Sequence, residues 1–525
     1  MATEYGAKPG ARARGPHAGP QDERSPAPHA TRLAITLPRL WAIVAVEVAA
    51  LVGLLTRLNS VDLAYQIRVG EAILRERTLP GVDLLTFTVH GRPWLDQQWG
   101  AQVILALAHR AGGWGGQTIL RAGLVTALCL FVFLACRGAG AGSRASALLT
   151  LASLLALRAG LGLRPQLFGL VLLAMTLWIL AARNRRPGLV VAIPLLVALW
   201  ANLHGSFVLA PALLVIAWVE ARRRRESGAT RLLWIAAASV AAAFINPFGP
   251  RIWGYLAEVA TNPRVRGFVE EWQPPTMHDA GGAAFFVTGL AVAVFLVVRR
   301  PRPAWTSVAT LVAFFALGLT ANRAVLWWSI AAPIVIAAEL RSDGARGPRG
   351  ADHDAPSVAP QPASLLNGGV AVTFGLVLAL SLPGVLRPAG SERWLPQDAP
   401  TAATRAVLAE VAPGARLFVS QPWASWFEYA APRDRVFVDS RIELYPSGIW
   451  RDYDAVTGAR SGWSRILDRW RVDAVAVRTG EPLLDEISGD PGWRTLFRDA
   501  SGAVFVRACA SCATAVPEAI PSPQP

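Results

Sequence analysis

The sequence predicts an α-helical polytopic membrane protein with a C-terminal α/β domain. Three observations predict it. Of 525 residues, 53% are hydrophobic and 17% charged, whereas soluble domains carry about 25% charge. Apolar runs of about 17–25 residues, the length that crosses a bilayer, recur along the chain. Beyond residue 389 the pattern changes to short β-rich runs alternating with amphipathic ones, as in an α/β unit.

Residues 1–36 are rich in Pro, Ala, Gly and Arg and lack a long apolar core. They read as a disordered basic cytoplasmic tail, not a cleavable signal. Apolar runs follow at 38–57, 116–136, 145–160, 165–182, 188–203, 206–220, 231–247, 282–298, 304–321, 324–340 and 364–386. They predict about eleven spans within a transmembrane domain over 37–389. The net charge is +15, and Lys8 is the only lysine. Arginines concentrate in "RGAGAGSR" (137–144), "RNRR" (183–186), "RRRRE" (222–226), "RRPR" (299–302) and "RSDGARGPR" (341–349). Short basic loops between apolar runs are the cytoplasmic-loop pattern, not a nucleic-acid surface.

An N-terminus inside and about eleven spans put all five loops on the cytoplasmic side. The segment 98–110 must then lie at the interface and not span. The same holds for 63–74, where Leu63, Ile67, Gly70 and Leu74 have helical spacing. The first outer loop, 58–115, therefore carries two interfacial helices. Residues 341–363 read as a disordered cytoplasmic linker and 509–525 as a disordered tail. The α/β domain, 390–508, falls outside. Its expected strands are "ARLFVSQ", "RVFVDSR", "DAVAVRT" and "GAVFVRA"; its helices are "TAATRAVLAEVA", "GWSRILDRWRV" and "PLLDEIS".

Cys129 and Cys136 share one helix face and read as apolar filler. Cys509 and Cys512 form a lone C-x-x-C, a weak zinc signal. No phosphate loop or serine elbow is present. The cytoplasmic loops hold mostly arginine and small residues. The opposite ends hold Asp62, Asp83, Asp96, Arg164, Asn202, His204, Asn246, Glu270, Glu271, Asn322 and Arg323, so topology places the chemistry there.

The first loop reads "VDLAYQIRVGEAILRERTLPGVDLLTFTVHGRPWLDQQW". Its Asp62, Gly70, Pro80, Asp83, Phe87, Thr88, Gly91, Pro93, Trp94 and Trp99 match a pattern D-x-W-W-H…G…P…D-x-F-S-x-T…G-x-P-W…H-E-W. "LRPQLF" (163–168), "WANLHGSF" (200–207), "INPFG" (245–249), "EEWQPP" (270–275), "ANRAVLWWSIAAP" (321–333) and "VFVDSRIELYPSGIW" (436–450) extend the likeness. The chain resembles the GT-C superfamily of polyprenyl-phosphate-sugar-dependent membrane glycosyltransferases. The branch it is similar to is the bacterial group of protein mannosyltransferases, aminoarabinose transferases and lipopolysaccharide-core sugar transferases.

The resemblance implies a glycosyltransferase of the bacterial inner (plasma) membrane, passing sugar from a polyprenyl-phosphate donor to an envelope lipid, glycan or protein with inversion at C1. It places the catalytic base at Asp62, with Asp83 as a second carboxylate that orients acceptor or metal. Arg164 and Arg323 would bind the donor phosphate, since a guanidinium holds phosphate bidentately. Asp96, Asn202, His204, Glu270 and Glu271 are the expected substrate contacts. A divalent cation is compatible with the aspartates, but no ligand set stands out beyond them.

Each residue also has a plainer reading: Asp62 as a helix N-cap, Asp83 as a turn residue, Arg164 as a snorkelling side chain. Arg323 sits at a tight turn. His204 reads equally as a structural histidine, and Glu270 and Glu271 as loop acids. Glu47, in mid-span, reads as functional or as a partner for a neighbouring helix. Asp439, Arg441, Glu443 and Tyr445 form either an acceptor-facing cluster or a domain interface. The chain departs from the pattern at Ala64, Tyr65 and Gln66, where it has W-W-H, and at Gln97 and Gln98, where it has H-E. Losing histidine and glutamate removes acid/base groups. This leaves a non-catalytic scaffold or binding protein as the alternative, with a lipid-linked-substrate transporter behind it.

Overall fold

The computed structural model describes residues 35–263, 267, 270–299, 302–344, 363–386 and 395–508. Of the expected linker, residues 341–344 and 363 belong to the helices Asn322–Gly344 and Ala363–Leu386 and are not disordered chain. Residues 1–34, 345–362 and 509–525, with Cys509 and Cys512, lie outside the described residues.

Apolar segments form helices because no water inside a bilayer can satisfy the backbone. The bundle comprises α1 (Leu37–Leu55), α2 (Leu63–Glu76), α3 (Trp99–Ala139), α4 (Ser143–Leu157), α5 (Pro165–Ala182), α6 (Ile193–Ala201), α7 (Leu209–Arg223), α8 (Ala229–Ala242), α9 (Arg251–Thr261), α10 (Ala280–Val298), α11 (Trp305–Thr320), α12 (Asn322–Gly344) and α13 (Ala363–Leu386). The chain is a multi-pass membrane protein. Among the described residues, seven helices are long and apolar enough to cross a bilayer.

The expected count of about eleven differs for a physical reason. The runs at 145–160, 188–203, 231–247 and 304–321 do form helices. However, α4, α8 and α11 have 15, 14 and 16 residues, and Pro187–Ala201 is equally short. At 1.5 Å per residue they reach roughly 21–24 Å, less than the ~30 Å hydrocarbon core.

Helix α2 lies along the first half of α3. Its Gly70 is required by this approach, because a Cβ there would sit 2.1 Å from the Gln102 carbonyl oxygen. Segment 98–110 is continuous with the next span in α3. The helix breaks at Gly112 and Gly113, where Gly113 has φ 55° and ψ −140°. That break separates the part against α2 from the part that crosses. Arg121 of α3 closes the end of α1. It donates to the carbonyls of Gly53 (3.0 Å), Arg57 (2.6 Å) and Thr56, which a helix terminus leaves unsatisfied. Cys129 and Cys136 are buried in α3.

The C-terminal part is a five-stranded sheet in the order β2-β1-β3-β5-β4. The strands are β1 (Arg416–Val419), β2 (Arg435–Val436), β3 (Ala474–Arg478), β4 (Trp493–Arg498) and β5 (Gly502–Arg507). β1 runs parallel to β2 and β3, and β5 antiparallel to β3 and β4. Three expected helices form at Thr401–Glu410, Trp463–Arg469 and Leu483–Ser488.

The first loop docks on this sheet. Thr86 bridges Val436 in parallel, and the Thr88 hydroxyl donates to the Phe437 carbonyl at 2.6 Å. An extra strand segment thereby covers the exposed edge of β2. Tyr65, Val69, Phe87 and Trp94 share one apolar core with Phe418, Phe437 and Trp450. The bundle and the sheet therefore meet through the first loop.

Candidate active site

The helix ends converge on a polar cavity of about 390 Å³ at the first-loop end of the bundle. Asp62, Arg164, His204, Glu271 and Arg323 line it. These residues lie far apart in sequence and were each expected at one membrane face.

Asp62 precedes α2, but its side chain makes no capping hydrogen bond. Its carboxylate Oδ2 stands 3.8 Å from Arg164 Nη1, and its Oδ1 is buried without a partner. Burial pushes its pKa above the ordinary carboxylate value. Arg164 and the neighbouring Ser440 pull the other way.

Arg164 is fixed by local sequence: Pro165 starts α5 and leaves Arg164 extended at its N-cap (φ −158°, ψ 169°). It forms an ion pair with Glu271. Burial works against its charge, but Glu271 and Asp62 outweigh burial and hold its pKa above the usual value.

Arg323 makes no ion pair among the described residues. Its Nη2 is 3.2 Å from His204 Nε2, and its guanidinium stacks over Trp272 at 4.5 Å. His204 is anchored by Nδ1 to the Ser206 hydroxyl at 2.7 Å, and that hydroxyl accepts from Trp200 Nε1 at 3.1 Å. Burial, then Arg323 and Arg164, push its pKa well below the usual histidine value. The ring is therefore neutral, and its Nδ1 accepts from the Ser206 backbone N–H at 3.2 Å. Gly169 of α5 makes room for this group: a Cβ there would lie 2.7 Å from Ser206 Oγ and 2.9 Å from His204 Nδ1.

Three expected site residues sit elsewhere. Asp83 is fully buried, behind the cavity wall. It accepts from the backbone N–H groups of Leu85 and Thr86 and from the Thr86 hydroxyl, and from Arg441 Nη2 at 2.5 Å. With its oxygens so engaged, it holds a turn and a domain contact and does not line the cavity. Asp96 is also buried, and accepts from Gln102 Nε2 at 2.9 Å; burial raises its pKa to about 7. Asn202 bonds Trp99 Nε1 at 2.9 Å and the Ile245 carbonyl at 2.8 Å, fixing loops together. The Glu270 side chain lies outside the described residues.

Sequence reasoning missed Tyr255, Ser440 and Gln421, which also line the cavity. Tyr255 comes from α9, in a stretch with no expected element. Its hydroxyl donates to Glu443 at 3.2 Å. Gln66 and Gln98 line the cavity too: Gln66 Nε2 donates to the Tyr65 hydroxyl (2.7 Å) and to Gln98 Oε1 (3.2 Å). Arg441 lies between Asp83 and Asp439, stacked over Trp94 at 4.4 Å. The acidic alternative for this cluster, a domain interface, is thus built, while Arg441 and Glu443 also reach the cavity wall. Glu47 stands on α1 facing Gly375 of α13, remote from the site. Among the described residues no cluster of three or more His, Cys, Asp or Glu could hold a metal ion.

The arrangement defines a class: a helical membrane protein with a charged, arginine-lined cavity where the bundle meets an α/β domain. Solved structures share this fold. The archaeal oligosaccharyltransferase AglB from Archaeoglobus fulgidus, in complex with an inhibitory peptide and a dolichol-phosphate, matches 83% of this chain and 69% of its own (TM-score 0.53, 13% identity). ArnT from Cupriavidus metallidurans, bound to undecaprenyl phosphate, matches over 91% and 99% (0.50, 16%). The mycobacterial arabinofuranosyltransferase AftD matches over 89% and 41% (0.51, 18%). The fold of this chain is that of the GT-C glycosyltransferases. No family model and no curated relative matches the sequence.

Proposed function

We propose that the chain is a membrane glycosyltransferase that uses a polyprenyl-phosphate sugar and transfers it to an envelope acceptor at this cavity. The cavity would open on the extracytoplasmic face, opposite the arginine-rich loops. The observation that carries the reading is one cavity holding an incompletely hydrogen-bonded carboxylate, Asp62, beside Arg164 and Arg323.

The chemistry needs these groups. An acceptor hydroxyl oxygen attacks C1 of the sugar, and the C1–O bond to phosphate breaks. Asp62 takes the hydroxyl proton. The bonding pair leaves with the polyprenyl phosphate, whose charge the guanidinium groups stabilise. Arg323 makes no ion pair among the described residues and is held by His204 and Trp272. Arg164 shares its charge with Glu271 and Asp62, so it couples the phosphate side to the base side. Glu271 orients Arg164.

A second reading is a membrane protein that binds lipid phosphate without catalysis. Gln66 and Gln98 favour it, because amides in the cavity wall cannot carry a proton.

The test is transfer of radiolabelled sugar from a panel of polyprenyl-phosphate sugars by purified protein in nanodiscs, with envelope extract as acceptor. Wild type should incorporate label and folded Asp62→Asn should not. Donor binding with no incorporation by wild type supports the binding protein.

A further inference from the structure

A second cavity, of about 230 Å³, adjoins the first. Val61 lines both and is half-exposed, one residue before Asp62. Nothing in the transfer chemistry above uses this space.

Its walls come from four places: the first loop at Asn59 and Ser60, the segment Pro396–Pro400, the helix Gln421–Ala430, and Arg478 at the end of β3. The Gln397 N–H donates to the Leu58 carbonyl at 2.6 Å, tying the segment to the loop. Prolines at 396, 400 and 422 stiffen the walls. Trp426 is held by stacking on Trp114 at 5.6 Å. The cavity is therefore pre-formed.

Its polar wall comprises Asn59, Ser60, Gln397, Asp398, Trp426 and Arg478, and two of its polar atoms are buried without a partner among the described residues. Ser60 Oγ and Trp426 Nε1 are buried and unbonded, and each residue is only 9% exposed. The Arg478 guanidinium, in the same wall, makes no ion pair or hydrogen bond among the described residues. Buried polar groups of this kind are ordinarily satisfied, so an orphaned hydroxyl and indole in one cavity point to a ligand rich in oxygen. Trp423 and Trp426 contribute aromatic surface.

We propose that this cavity is the acceptor subsite, and that the acceptor is a saccharide whose hydroxyl passes Val61 to reach Asp62. The inference rests on the glycosyl-transfer reading. A sugar ring offers an apolar C–H face for the tryptophans and a rim of oxygens for Ser60, Trp426 and Arg478. A lipid chain would need an unbroken apolar wall, and Asn59, Gln397 and Arg478 interrupt this one. A peptide adding to a sheet would need a free strand edge, and none lines the cavity.

The experiment is saturation-transfer NMR on the full chain in nanodiscs. The probes are methyl glycosides of neutral pentoses and hexoses, their disaccharides, and one uronic acid. Trp426→Phe keeps the ring and removes its N–H; Arg478→Gln removes the charge. Each should weaken binding of the best glycoside about tenfold, with undecaprenyl phosphate affinity unchanged. Val61→Trp should close the passage between the two cavities and block transfer. Asp62→Asn should cut transfer by about 10²–10⁴-fold and spare glycoside binding.

Absence of binding by every glycoside, or affinity unchanged in both Trp426→Phe and Arg478→Gln, overturns the inference. So does an unstructured peptide panel binding in an Arg478-dependent way. Glycoside binding without any transfer by wild type sinks the transferase reading alone, while transfer with wall-insensitive glycoside affinity sinks only the acceptor assignment.

Discussion

Arg441 of the α/β domain donates to Asp83 of the first loop at 2.5 Å, across 358 positions of sequence. Both side chains are almost wholly buried, at 2% and 0% exposure. Removing Asp83 would leave Arg441 paired with Asp439 alone, with one buried donor short of a partner. Asp83→Ala should therefore destabilise the docked domain by about 1–3 kcal/mol, read as a lowered melting temperature. Any loss of transfer should track loss of fold. A variant with unchanged melting and abolished transfer would return Asp83 to the chemistry.

Asp62 predicts the acid limb of activity. As base it must be ionised, and its pKa is raised, chiefly by burial. Activity should thus fall as pH drops through a value above the ordinary carboxylate range. Arg164 lowers the Asp62 pKa, so Arg164→Gln should move that limb further up in pH as well as weaken donor binding. A kcat/KM profile flat down to about pH 4 would remove Asp62 as base. Replacing it by Asn should cost about 10²–10⁴ in kcat.

Much of this was legible in the sequence and some was not, for physical reasons. Hydrophobic run length located the helices. Residues 62, 164, 204, 271 and 323 then had to meet at one face, and they line one cavity. Run composition did not limit helix length, so 145–160 and 231–247 read as spans though α4 and α8 are short. Asp83 and Asp96 looked like Asp62 in sequence, because a carboxylate's partners come from distant segments. Strand β4, "WRTLFR", lacks apolar alternation and exists through its pairing with β5. Tyr255 sits on a short amphipathic helix with no flanking signal.

Asp96 predicts a pH-dependent stability. Its folded pKa is about 7 against an ordinary 3.8, raised chiefly by burial. Between these values the folded state binds the extra proton. Stability contributed by this group is present below about pH 4 and is lost as pH rises through about 7. The loss amounts to a few kcal/mol at most. Melting temperature should decline from pH 5 to pH 8, and Asp96→Asn should flatten that decline while leaving the pH 5 value nearly unchanged. An unaltered slope in Asp96→Asn would place the titration elsewhere.

His204 and Arg323 predict how the donor is held. Neutral His204 lies against the guanidinium at 3.2 Å, and Trp272 covers the guanidinium face. His204→Ala should free Arg323 and raise the donor KM severalfold, with a smaller change in kcat. Arg323→Lys should rescue little, because an ammonium neither stacks on Trp272 nor bonds phosphate bidentately. Gly169→Ala gives an independent handle without touching either residue. Its Cβ would press on His204 Nδ1 and Ser206 Oγ, and overpacking of this kind costs about 1–3 kcal/mol. If the donor KM rises in Gly169→Ala as it does in His204→Ala, the histidine acts by positioning Arg323. If Gly169→Ala lowers stability and leaves the donor KM unchanged, His204 is only a packing residue.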